Sequence, residues 1–287
     1  MLFRSRLDFW LAELSRERQP YALSLTRGPG DAAALAREAS ETVVVAVGGD
    51  GTINEVLDGV LQSASPKTMG VLYAGTSPDF CRFNRIPFDD SAAALRTLLG
   101  GQARRVDAVK VVCADGPPAH FACGCNIGMG ARVAAFANRY RRTLGDAAGT
   151  GLGLALAVCR QRRFSARLLI DCVPHEFPDA NHVFVLKNPH IASGLRLDLP
   201  LAPDDGSLVV VAVHGLGRAA LLRLLPAFYS GAAAAHPAVF SRTCRSVTVE
   251  ADPPQAVEFD GDPRGRSPVM AAVLPRALSL ICEAEHA

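Results

Sequence analysis

Apolar positions along the first hundred residues follow two rhythms, and the switches between them mark out the elements. Residues 2 to 17 place Leu2, Phe3, Leu7, Trp10, Leu11 and Leu14 on one helical face. Tyr21 to Leu25 alternates and predicts a short strand, followed by a Gly-Pro-Gly turn and a second helix capped by Asp31 and running through Ala39. Thr42 to Val47 is a run of β-branched and small apolar residues, as in a buried strand. It ends in Gly48-Gly49-Asp50-Gly51-Thr52 and passes into a helix with Ile53, Val56, Leu57 and Val60 on one face. Met69 to Tyr73 predicts another strand, and Ser91 to Leu99 a helix stopped by Gly100-Gly101. Strands alternating with helices predict an α/β domain with a parallel sheet and ligands at the strand C-ends.

Beyond Gly101 the alternation changes character. Residues 105–113, 119–126, 164–172, 182–187, 208–213, 246–250 and 269–274 read as strands. Helical patterns interrupt them near residues 131–142, 152–162 and 219–229. The expectation is a β-rich, sandwich-like second domain over 105–275, with 1–104 forming the α/β domain and 276–287 returning to it.

Composition adds little that is specific. A chain of 287 residues that is 49% hydrophobic and 20% charged is an ordinary globular sequence with room for two domains. Its net charge of +2 gives no ground to expect a nucleic-acid partner. The eight cysteines lack zinc-type spacing, and Cys123 and Cys125 fall in an alternating pattern as small core residues. Residues 1–14 carry Arg4, Arg6, Asp8 and Glu13 and do not read as a signal peptide, so a reduced, cytoplasmic setting is expected. Residues 219–239 come nearest to a membrane span, but Arg223 and Pro226 interrupt them and an amphipathic helix fits better.

The chemistry concentrates at Gly48–Thr52. A glycine turn between a strand and a helix start is a phosphate-binding corner: glycine tolerates positive φ and close approach, and the helix N-terminus offers unpaired N–H groups. Asp50 would repel a phosphate unless a cation or a transferable proton lies between them. Thr52 and Glu55 also fit a capping box, which leaves Glu55 open between capping and ligand binding.

The GGDGT run resembles a signature shared by NAD kinases, phosphofructokinases and the diacylglycerol/sphingosine-type lipid kinases. Its continuation Thr52-Ile53-Asn54-Glu55 resembles the T-x-N-E of the lipid kinases. Gly75-Thr76-Ser77-Pro78-Asp79-Phe80 is similar to their G-T-x-N-D-F, with Pro78 in place of Asn. Arg105-Val106-Asp107 resembles R-x-D, and residues 126–130 resemble A-G-x-G-x-D without its final acid. Asn188 with Pro200 to Gly206 resembles N…P-x-A-x-x-D-G, and Asp260-Gly261-Asp262 stands where the family has D-G-E.

This resemblance implies a magnesium-dependent transfer of the γ-phosphoryl of ATP to a lipid hydroxyl, most readily that of diacylglycerol. The nucleotide would contact Gly48, Gly49, Asp50, Gly51, Thr52, Glu55, Gly75, Thr76 and Asp79. Asp50, Asp79 and Asp107 would suit magnesium, directly or through water. Asp260 would be the base supported by Asp262, although the same tripeptide fits a tight turn between strands. Asp205, with the carbonyls of Ala202 and Ser207, would hold a separate structural magnesium, or be a turn aspartate. Arg139, Arg141, Arg142, Arg160, Arg162 and Arg163 fit solvated helix faces, or transient contact with the inner face of a membrane.

The family normally opens with an apolar strand ending in N-P-x-x-G, whereas this sequence begins at the following helix. Either that strand lies upstream, or the sheet has an open edge inviting pairing with a second copy as a homodimer. Alternatives to a diacylglycerol kinase are a ceramide or sphingoid-base kinase, a non-catalytic nucleotide- or lipid-binding relative, and an NAD kinase.

Overall fold

The computed structural model describes residues 2–129, 133, 136, 140, 144, 146–192, 194–259 and 262–283. It divides into two compact units, one of Met1–Asp107 with Arg276–Ala287 and one of Ala108–Pro275.

The first unit contains α1 (Leu2–Arg16), α2 (Asp31–Glu38), β1 (Val43–Gly48), α3 (Asp50–Leu61), β2 (Thr68–Tyr73), α4 (Asp79–Phe83) and α5 (Ser91–Gly100). β1 pairs with β2 in parallel from Val43 opposite Thr68 to Gly48 opposite Tyr73. On β2's other side the final strand, Val269–Cys282, pairs in parallel through Ser279 and Leu280. Trp10 of α1, 1% exposed, packs with Leu72, Ala94 and Leu95 and donates its indole N–H to Ser91 O at 2.9 Å. α3 buries the four residues expected of it, Ile53, Val56, Leu57 and Val60. Its Gly59 lies so close to the backbone of Ala33 that a Cβ would collide, which brings α2 and α3 into tight contact.

Two expectations fail in this unit. Residues 21–25 form no strand, and Tyr21, Leu23 and Leu25 are 49%, 49% and 69% exposed. Their alternation is that of a strand, but a strand persists only where a neighbour takes its backbone hydrogen bonds, and among the described residues none does. Asp31 does not cap α2. It is the first helical residue, Gly30 at φ 87° is the cap, and the Asp31 carboxylate accepts from Arg27 N at 2.6 Å.

The chain enters the second unit along β3 (Gln102–Cys113), followed by β4 (Ala119–Phe121), β5 (Gly124–Ile127) and α6 (Asp146–Cys159). Then come β6 (Phe164–Ile170), β7 (Val173–Leu186), β8 (His190–Ala192), β9 (Leu195–Arg196), β10 (Leu208–His214) and α7 (Arg218–Ser230). After these follow β11 (Val239–Cys244), β12 (Ser246–Asp252), β13 (Ala256–Phe259), β14 (Asp262–Arg266) and the final strand, β15. Antiparallel pairing runs through β15–β12–β6–β7–β5–β13–β14, and β10 adds to β7 and carries β11. The apolar run of β10 follows from burial on both faces. Leu208, Val210 and Ala212 enter the core between the strands, while Val209, Val211 and Val213 meet Leu154 and Val158 of α6 and Leu221, Leu224 and Phe228 of α7. No helix among the described residues is long and apolar enough to cross a membrane. The helix expected over 131–142 and Arg139, Arg141 and Arg142 lie outside the described residues.

The stretch 164–172 is not one strand. Ile170 pairs with Val173 across a two-residue turn in which Asp171 and Cys172 have φ of 45° and 67°. Both central residues are left-handed, as in a type I′ hairpin turn. Asp171 suits this place because its carboxylate accepts from Arg245 N and Ser246 N, whereas Cys172 carries a Cβ where glycine is preferred. Replacing Cys172→Gly should raise unfolding stability by up to about 1 kcal/mol, the cost of a left-handed L-residue. Urea denaturation checks this, and a loss of stability would refute the turn assignment.

Candidate functional site

One residue, Gly49, separates the end of β1 from the start of α3. Its backbone is extended, with φ −93° and ψ −173°, and its carbonyl accepts from Ile53 N at 3.0 Å to close the first helical turn. Ala74 N donates to Gly48 O at 2.8 Å, carrying the β1–β2 ladder one step beyond the strands. The two loops then meet glycine to glycine. A Cβ on Gly75 would lie 2.5 Å from Gly49 Cα, and one on Gly48 would lie 2.7 Å from Thr52 Oγ1. None of Gly48, Gly49, Gly51 and Gly75 has positive φ. Close approach, not left-handed backbone, therefore accounts for Gly48, Gly49 and Gly75.

This packing sets Asp50 on the first turn of α3, facing the loop that begins α4. Tyr73 Oη donates to Asp50 Oδ2 at 3.4 Å and Phe80 N to Oδ1 at 3.5 Å, both long contacts. Burial, with the nearby charge of Asp79, pushes the Asp50 carboxyl up to about 7 against the weak pull of those donors. Burial and Asp50 likewise raise the Tyr73 phenol above its ordinary value. Asp79, 6% exposed, is the first residue of α4 and accepts from Ser77 Oγ at 2.9 Å, with the Arg82 guanidinium 3.9 Å away. Asn54, also on α3, is 4% exposed, and its Oδ1 has no hydrogen-bond partner among the described residues.

The other expected site residues disperse. The Glu55 carboxylate accepts from Gly30 N at 2.7 Å and Ala32 N at 3.2 Å, so it holds the N-terminus of α2. The capping box is not formed, because α3 starts at Asp50 and its cap, Gly49, makes no side-chain bond. Asp107, 3% exposed on β3, accepts from Arg276 N at 2.8 Å, where Arg276 is left-handed at φ 50°. Asp205 accepts from the Lys187 ammonium at 2.7 Å, and that ammonium also reaches Ala202 O and Ser207 O. The three oxygens expected to surround a metal thus surround an amine, and the residues do not fit the structural magnesium. Asp260 and Gly261 lie outside the described residues, as does the side chain of Asp262, whose backbone pairs with Phe259. Arg160, Arg162 and Arg163 are exposed, and Arg163 pairs with Asp179 at 3.6 Å.

Sequence reasoning missed Tyr73, read only as an apolar strand end, and Lys187, read only as the end of the 182–187 strand. The signal for Tyr73 was a hydroxyl closing an otherwise apolar parallel strand. For Lys187 it was a lone charge at the end of a buried strand.

One unit thus carries a strand–glycine–helix corner with paired acids, and the other is β-rich. A family model described as the diacylglycerol kinase catalytic domain matches residues 6–111, and one described as the YegS C-terminal NAD kinase beta sandwich-like domain matches residues 124–282. The chain belongs to this diacylglycerol kinase and YegS-like lipid kinase family. It is 30% identical over 90% of its length to a Chromohalobacter salexigens protein named "Probable lipid kinase YegS-like", covering 83% of that protein. It is 24% identical over 93% of its length to a Staphylococcus saprophyticus diacylglycerol kinase, covering 86% of it. With a Bacillus subtilis diacylglycerol kinase the match is 35% over 109 residues, 37% of this chain and about a third (36%) of that relative. Among solved structures, a Bacillus anthracis chain named as a candidate diacylglycerol kinase superposes with a TM-score of 0.78 at 20% identity, covering 98% of this chain and 92% of that one. An NAD kinase from Archaeoglobus fulgidus in complex with ATP gives 0.51 at 12%, covering 98% and 90%.

The raised Asp50 carboxyl carries a stability consequence. In the folded chain it holds its proton up to about pH 7, while unfolded it loses it near 3.8. The folded state therefore binds more protons between these values, and stability falls as pH rises through that window. Asp50→Asn removes the penalty. Without divalent ions its melting temperature should exceed wild type at pH 8, with the gap shrinking toward pH 4; a gap independent of pH would contradict the assignment.

Proposed function

We propose that this chain is an ATP- and magnesium-dependent lipid kinase transferring the γ-phosphoryl of ATP to a lipid hydroxyl, with diacylglycerol the leading acceptor. The observation that carries this reading is the acid pair at the glycine corner. Two carboxylates placed so that one is pushed up to about 7 are poised for a cation, which would return Asp50 to its ionised form. Magnesium retains waters and takes only one or two carboxylates beside substrate phosphates, so Asp50 and Asp79 suffice to hold it. Bound there, it would neutralise charge on the transferred phosphoryl group.

The chain's own groups divide the remaining work. The N–H groups of Gly51 and Thr52 lie in the first turn of α3, with no preceding turn to bond them, and would donate to phosphate oxygens. Tyr73 and Ser77 orient the two carboxylates through the hydrogen bonds already described. Asp260 takes the lipid hydroxyl proton as that oxygen bonds to the γ-phosphorus and ADP leaves, and Asp262 supports it; the D-G-D match to the family motif supports these roles. The enzyme works at the inner membrane face, with exposed Arg160 and Arg162 able to meet anionic headgroups.

Incubating the protein with labelled ATP, magnesium and a panel of lipid alcohols in mixed micelles tests the proposal. Label should enter diacylglycerol, require magnesium, and fall by about 10²–10⁴-fold in Asp260→Asn. Label in no lipid beyond the level given by Asp50→Asn would refute it, and label in ceramide or a sphingoid base instead would reassign the acceptor.

A further inference from the structure

Lys187 stands one residue past β7, and its side chain is 1% exposed. Its backbone N donates to Cys123 O at 2.9 Å, fixing the root of the side chain. Its ammonium donates to Ala202 O at 2.9 Å, Asp205 Oδ1 at 2.7 Å and Ser207 O at 2.9 Å. An ammonium has three N–H donors, enough for one to each of these oxygens. Asp205 is engaged on its other sides too. Oδ1 also accepts from Ser207 N and Ser207 Oγ, each at 2.8 Å, and Oδ2 accepts from Ala202 N at 2.7 Å. Partial burial pushes the Asp205 carboxyl up, but these donors outweigh it and hold it below its ordinary value.

We propose that Lys187 is the built-in cation of the 202–207 loop, its ammonium standing where the family resemblance places a structural magnesium, so that this loop closes without a divalent ion. The distances suit an amine. Magnesium binds oxygen at about 2.0–2.1 Å and calcium at about 2.3–2.6 Å, so the cage would have to contract to hold magnesium. The choice of lysine is also informative in a chain whose basic residues are nearly all arginine. Only Lys67, Lys110 and Lys187 are lysine, and Lys67 is likewise buried and donates to the carbonyls of Ala39 and Glu41. A compact ammonium can aim three donors at converging carbonyls, whereas the planar fork of arginine cannot. A tethered cation also frees the loop from metal concentration, because the ligand is never diluted. This inference is independent of the kinase reading.

With only three lysines, ¹⁵N-lysine labelling reads the cage directly. The Lys187 side-chain ammonium signal should persist in EDTA at neutral pH, where that of exposed Lys110 is lost to water exchange, and should not move on titration with magnesium or calcium. Lys187→Ala vacates the cage; it should melt below wild type in EDTA, and added magnesium or calcium should raise its melting temperature more than it raises wild type's. Lys187→Met, which fills the space without charge, should melt low and gain no such excess. Displacement of the Lys187 signal by divalent ions, wild-type stability of Lys187→Met, or no excess recovery in Lys187→Ala would each overturn the proposal. If neither variant folds, the lysine spectrum of the wild-type protein decides.

Discussion

Two carboxylates brought together beyond the ends of adjacent parallel strands are the constraint on which the first unit turns. β1 and β2 run in register from Val43 and Thr68 to Gly48 and Tyr73, so the loops that follow must emerge side by side. Glycine at 49 and 75 lets those loops touch backbone to backbone, which in turn brings the Asp50 carboxylate to the backbone N–H of Phe80, next to Asp79. The cost is electrostatic, a half-buried acid whose proton is held to about pH 7. A protein selected only for stability would remove one of the two acids. Keeping both makes sense where a cation is to be bound.

The second unit solves a related problem in the opposite way. At the 202–207 loop an aspartate and two carbonyls also converge, but the chain supplies its own cation in Lys187. In one cluster two acids share a site and one carboxyl is pushed up to about 7, whereas in the other the chain's own ammonium meets the carboxylate and two carbonyls.

Much of this was legible in the sequence where local pattern and tertiary demand agree. The helical face of α3, the β10 run and the GGDGT corner each follow from residues within one element. What was not legible depends on partners distant in sequence. Residues 21–25 alternate as a strand should, yet among the described residues no neighbour pairs with them. Glu55 and Asp107 have motif-like positions, but backbone N–H groups at Gly30, Ala32 and Arg276 claim their carboxylates. The Asp171-Cys172 turn hid inside an apolar run because cysteine gives no turn signal. Lys187 and Asp205 are 18 residues apart, and only the fold shows them to be partners.

The central claim is that Asp50 is poised for a cation, and carboxyl ¹³C NMR of aspartate-labelled protein tests it most directly. Following Asp50 Cγ across pH with and without magnesium and ATP, the account predicts titration near 7 in their absence and a clear fall when they are added. An Asp50 that titrates in the ordinary carboxylate range and ignores magnesium and ATP would contradict it.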